Sequence, residues 1–156
     1  MDRIFATLGA TSAFVAVAAG AFGAHALRAR LAPELLAAFE TGVRYQIYHA
    51  LALLFVAWAA TRWPVPPMRA AGWLFVVGTI VFSGSLYLYA WTGIRFWGAV
   101  TPLGGLAFLG GWLALAVGVW RGLPRPSGAR CWGSAFATQP SSFRSACTRA
   151  ETSWRS

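Results

Sequence analysis

The 156-residue chain is 58% hydrophobic and only 11% charged, with 9 Trp and a mean hydropathy of +0.57. Soluble domains carry about 25% charged residues, so this composition excludes an ordinary soluble fold and points to a membrane protein. The 13 basic residues are all Arg, and a net charge of +9 would suit a nucleic-acid binder only if they formed one stripe on a soluble domain. Here they separate apolar runs or crowd the C-terminus, as membrane-flanking charges do, and no nucleic-acid partner is expected.

The first apolar run, "IFATLGATSAFVAVAAGAFGA", fills the 21 positions between Arg3 and His25. A spanning helix needs about 20 apolar residues, so a first span is expected near 4–24. The run is longer than the 7–15 residues of a signal-peptide core, and its single Arg is offset by Asp2, which argues against cleavage. Pro33 can then start a helix with Glu34 in its first turn. Leu35, Phe39, Val43 and Ile47 recur every four residues, and Glu40 precedes Arg44 by four, the favourable order for an ion pair. This pattern predicts a short amphipathic helix along the membrane surface that bends near Gly42 into a second span at 44–61.

A third span is expected at 71–92, within 25 uncharged positions between Arg69 and Arg95, with Gly93 as its C-cap. Residues 94–100, "IRFWGAV", read as a connector with Arg95 and Trp97 at the interface. In "TPLGGLAFLGGWLALAVGVW", Thr101 is the expected N-cap and Pro102 the first helical residue of a fourth span at 102–120. The remainder, 122–156, is rich in Ser, Gly, Pro and Arg without apolar periodicity. Such a segment cannot bury enough surface to offset its ordering entropy, so it reads as a disordered basic tail. Its Cys131 and Cys147 have neither a CxxC nor a neighbouring His, and read as incidental thiols.

The expected fold is therefore all-α: a membrane bundle of four transmembrane helices over 1–121, with the interfacial helix and the tail. With both termini cytoplasmic, Arg3, Arg62, Arg69, Arg121, Arg125 and Arg130 lie inside and Arg28, Arg30, Arg44 and Arg95 outside, the bias that the positive-inside rule favours.

The polar residues of "ETGVRYQIYHALALL" stand at the mouth of the second span. At about 100° per residue Glu40, Arg44 and Tyr48 share one face; Tyr45 and His49 share the opposite one, with Gln46 at its edge. One reading makes Tyr45, Gln46 and His49 a cup facing the bundle, completed by His25. The other makes them an interfacial belt with Arg44 snorkelling, His49 lying about one turn inside. Ser83, Gly84 and Ser85 in the third span, and Gly72, Gly78, Gly104, Gly105, Gly110 and Gly111, are small residues that let helices approach and hydrogen-bond. Two His without a third ligand, and no CxxCH, give no reason to expect a metal, haem or other cofactor.

Together, "GAFGAHAL", "ETGVRYQIYHALALL", "FSGSLYLYAWTGIR" and "TPLGGLAFLGGW" resemble the DUF423 family of small multi-pass membrane proteins, whose animal relatives are known as transmembrane protein 256. The resemblance covers about residues 1–121 and implies a four-helix protein of the bacterial inner membrane. It supplies no catalytic residue, and the tail after Arg121 departs from it.

The function expected from the sequence is that of a small non-enzymatic integral membrane protein. Its polar entrance at helix two would contact lipid or a membrane partner, such as a second copy. The candidate residues are His25, Glu40, Arg44, Tyr45, Gln46, Tyr48, His49, Ser83, Ser85 and Arg95. The second expectation is an oligomeric transporter or channel component with a polar path past His49, Gln46 and Ser83. A membrane enzyme is disfavoured, since paired carboxylates and an activated nucleophile are both absent.

Overall fold

The structure, a computed structural model, describes residues 2–123; the tail expectations and both cysteines lie outside the described residues. The described residues form four long helices: α1 (Asp2–Phe22), α2 (Pro33–Arg62), α3 (Pro66–Thr92) and α4 (Arg95–Gly122). Helix α1 runs into a π-helical turn, Gly23–Leu27, closed by Arg28 N–H donating to Gly23 O at 3.2 Å. Gly23 is needed there for close approach, because a Cβ would stand 2.9 Å from the Phe39 ring.

Proline starts α2 and α3, where its missing N–H removes no intrahelical bond. Helix α3 ends as the sequence predicts. Gly93 adopts the left-handed conformation (φ 70°), and its N–H donates to Tyr89 O at 2.8 Å.

Each helix packs antiparallel on the next, and α2 scarcely touches α4. In lipid, apolar helices gain little simply by meeting, so shape decides which seams close. Here the seams close where a ring meets a glycine. Phe5 of α1 lies over Gly72 of α3, where a Cβ would come within 2.5 Å of its ring. Phe75 of α3 covers Gly111, Phe108 of α4 covers Gly78, and Gly104 meets the backbone of Phe82. These rings join Leu53, Val56, Met68 and Leu115 in the main core, while Leu27, Phe39 and Ala90 form a smaller cluster at the opposite end. The expectation that glycines serve packing holds at these positions; Gly84 faces open space.

Three stretches, Arg3–Leu27, Pro66–Thr92 and Arg95–Gly122, are long and apolar enough to cross a membrane. Helix α2 is equally long, 30 residues or about 45 Å, but carries the polar residues in its first half.

Two expectations are corrected. The amphipathic segment after the first span is not a separate surface helix, because α2 runs unbroken from Pro33 through Gly42. Gly42 serves contact rather than bending: it is buried, and a Cβ there would stand 3.0 Å from the Tyr87 ring. Similarly, 94–100 is not a connector, since α4 starts at Arg95 and Pro102 lies inside it. The proline ring lies against the Gly98 carbonyl and leaves it without its intrahelical donor, yet the helix continues through this position. Thr101 is not a cap; its hydroxyl instead pairs with Ser85 Oγ at 2.9 Å.

Candidate functional site

The polar residues of α2 divide between two faces that do different things. Gln46, 6% exposed, points between α1 and α3. Its Nε2 donates to Ser12 O of α1 at 3.1 Å, and its Oε1 accepts from the Tyr87 hydroxyl of α3 at 2.7 Å. One side chain thus ties three helices. Just above it, Ser83 Oγ donates to Gly42 O at 2.8 Å. In hydrocarbon these groups find no water, so each must be paired inside the protein.

His49, 4% exposed, faces α4. Its ring lies flat on Phe108, with centroids 3.4 Å apart and planes 3° apart, and tilts against Phe75 at 5.5 Å. His49 Nδ1 stands 2.7 Å from Tyr45 O, and Trp112 Nε1–H donates to Nε2 at 3.3 Å. Arg62 ends the helix thirteen residues on, placing His49 about 20 Å along the axis from that end. His49 is thus enclosed by the bundle, five residues or about 7.5 Å past Arg44 along the axis.

Beside this pair a groove of about 650 Å³ separates α2 from α4. Tyr45, Tyr48 and His49 form one wall, Leu109 and Trp112 the other, with Phe82 and Gly105 at one end. The Tyr45 ring packs on Phe82 at 4.6 Å, which helps keep the groove open.

The remaining predicted residues lie elsewhere. The cup of Tyr45, Gln46, His49 and His25 does not form. Gln46 faces away from the groove, and His25 is exposed in the π-helical turn without a hydrogen-bond partner among the described residues. Four residues on from one another, Glu40 and Arg44 form the expected ion pair, but only at 4.0 Å with side chains 53% and 61% exposed. Arg95 is exposed at the start of α4, and Ser85 is held by Phe82 O and Thr101. The polar path past His49, Gln46 and Ser83 is likewise absent as a continuous line, since each is bonded to a different neighbour.

Sequence reasoning missed Tyr87, Phe108 and Trp112. A signal existed for Trp112: an indole in mid-span, away from the interfacial belt, carries an N–H that needs a partner in hydrocarbon.

The family model described as "Protein of unknown function (DUF423)" matches residues 19–105. The UPF0382 membrane protein YwdK of Bacillus subtilis (strain 168) is 44% identical over 116 residues, covering 74% of this chain and 94% of that protein. A UPF0382 membrane protein of Staphylococcus haemolyticus is 40% identical over 119 residues, covering 76% and 97%. The UPF0382 inner membrane protein YgdD of Escherichia coli (strain K12) is 39% identical over 126 residues, covering 77% and 92%. No solved structure matches. With the family match over more than half of its length and relatives of about 40% identity along nearly their whole chains, the chain belongs to the DUF423 family of membrane proteins.

Proposed function

We propose that this protein is a non-enzymatic component of the inner membrane that spans it four times, with both termini cytoplasmic, and binds a membrane amphiphile between α2 and α4. The groove carries this reading: it opens sideways, where a bilayer would surround it, and has a hydrogen-bonding pair within a largely apolar and aromatic lining. Helix α2 serves as the fourth span because Gln46 and His49, its deepest polar groups, are both paired within the bundle. The same pairing supports a binding rather than a catalytic role, since among the described residues no nucleophile stands beside a free base.

The antiparallel order gathers Arg3, Arg62, Arg69 and Arg121 at one end and Arg28, Arg30, Arg44 and Arg95 at the other. Arg125 and Arg130, next in sequence, tip the balance toward cytoplasmic termini. In a background lacking Cys131 and Cys147, a cysteine at position 66 should label from the cytoplasm and one at 96 from outside; the reverse overturns the orientation. For the groove, a phospholipid bearing a diazirine in its acyl chain should label peptides containing Tyr48, Leu109 or Trp112 above the outer face of α1. Even labelling of all lipid-facing surfaces would refute a binding groove.

A further inference from the structure

We infer that the groove's ligand is an aromatic alcohol on an apolar tail, a quinol-type lipid, whose hydroxyl inserts between His49 and Trp112. This rests on the amphiphile-binding reading above and names the head group.

The two bonds of His49 define what its ring can do. A carbonyl oxygen only accepts, so the 2.7 Å contact with Tyr45 O places the hydrogen on Nδ1. An indole N–H only donates, so the 3.3 Å contact from Trp112 requires Nε2 to be a bare acceptor. His49 is thus held as one neutral tautomer, and the groove edge presents an acceptor facing a donor. A group entering between them must donate to one and accept from the other, or leave a polar atom unpaired in hydrocarbon. A hydroxyl does both. A carbonyl, carboxylate or phosphodiester serves only the indole, and a quaternary ammonium serves neither.

The geometry allows the insertion. Two hydrogen bonds of about 2.8 Å meeting at a tetrahedral oxygen span about 4.6 Å, so the indole must retreat by about 1.3 Å. Trp112 is 48% exposed at the groove mouth and can move, whereas His49 is pinned by Tyr45 O and by Phe108. The long 3.3 Å bond is the weaker of the two that His49 makes.

The surroundings select a ring. The partly exposed rings of Tyr45 and Trp112, with Phe82 beside them, supply aromatic walls, and offset or edge-on stacking on such rings favours a planar head. At Gly105 a Cβ would meet nothing closer than 3.9 Å, so the floor is open for a ring to lie on. Tyr45 and Tyr48 also line this groove, so its wall carries two phenol side chains besides the His49–Trp112 pair. A tail has its own track. A second hollow of about 360 Å³ shares Trp112 with the groove and continues along Phe55, Leu115, Ala116 and Val119.

The test uses the full chain in lipid nanodiscs under anaerobic conditions, with decylubiquinol, its dimethyl ether and geranylgeraniol as probes. Equilibrium binding should favour the quinol at least tenfold over the ether and over the aliphatic alcohol. In Trp112→Phe and His49→Phe, the quinol-to-ether preference should fall below twofold, with the ligand-free melting temperature of Trp112→Phe unchanged. Trp112→Phe alone decides the matter should the other variant fail to fold. An ether within twofold of the quinol on the unsubstituted protein, or a preference that survives Trp112→Phe, overturns the hydroxyl; geranylgeraniol within twofold overturns the ring. Competition with the diazirine phospholipid separates the two proposals. Equal displacement of groove labelling by quinol and ether, or displacement by neither, refutes the head group and keeps the groove, whereas even labelling of all lipid-facing surfaces refutes both.

Discussion

Toward α3, helix α4 presents Gly104, Gly111 and Gly118, seven residues apart, and each lies against a larger group: the Phe82 backbone, the Phe75 ring and Met68. Toward α2 it presents Leu106, Leu109 and Trp112, and the two helices stay apart with a groove between them, bridged at His49 by its stack on Phe108 and one long hydrogen bond. The same helix therefore has a closed side and an open side. Apolar surface gains little by leaving lipid for protein, so the closed side is not the more hydrophobic one but the one with missing side chains. Residue volume, more than hydropathy, decides which pairs of helices touch.

That comparison is broken most severely at Gly104. A Cβ there would collide with the backbone of Phe82, which cannot rotate away as a side chain could. Gly104→Val should destabilise the bundle by about 3 kcal/mol or more in a detergent unfolding titration. Its neighbour supplies the control: Gly105→Ala, on the open side, should cost under about 0.5 kcal/mol and narrow the groove. Similar losses at both positions would show that α4 has no open side.

Next in size is the polar tie of three helices. Gln46→Leu should cost about 1–2 kcal/mol, the upper range for hydrogen bonds between membrane helices. A double-mutant cycle with Tyr87→Phe should show coupling, because each single change removes the same 2.7 Å bond. Additive effects would mean that the bond contributes nothing.

His49→Phe should cost about 1 kcal/mol or less, since the new ring keeps the stack on Phe108 while losing the Tyr45 and Trp112 bonds. Groove labelling by lipid would remain and hydroxyl preference would vanish. A loss as large as that of Gly104→Val would make His49 a structural post. Smallest is Glu40→Ala, expected below about 0.5 kcal/mol in the same titration, because its ion pair is exposed and stretched to 4.0 Å.

Much of the fold was legible because charge spacing and glycine chemistry are local signals. The number and rough positions of the apolar helices, the Gly93 cap and the Glu40–Arg44 pair all follow from residues near in sequence, though the unbroken run of α2 and the start of α4 do not. Local signals also misled. Pro102 looks like a helix start with Thr101 before it, yet α4 begins at Arg95 and runs through it. Gly42 looks like a bend, but Tyr87 fills the space above it. The seven-residue glycine spacing was present in the sequence and became meaningful only once the facing rings were known.

Sequence by itself determined that this is a membrane protein of long apolar helices and that α2 enters with Tyr45, Gln46 and His49 close together. It did so because hydropathy over some twenty residues and the 3.6-residue period are properties of one segment. Only the tertiary structure decided that Gln46 and His49 part company. Neighbours three residues apart on a helix can face different partners, and which partner each meets depends on chain 34 to 63 residues distant: Ser12 and Tyr87 for Gln46, Trp112 for His49. The groove is likewise a property of two helices that meet only around His49, fixed by side-chain volumes on α2, α3 and α4 together.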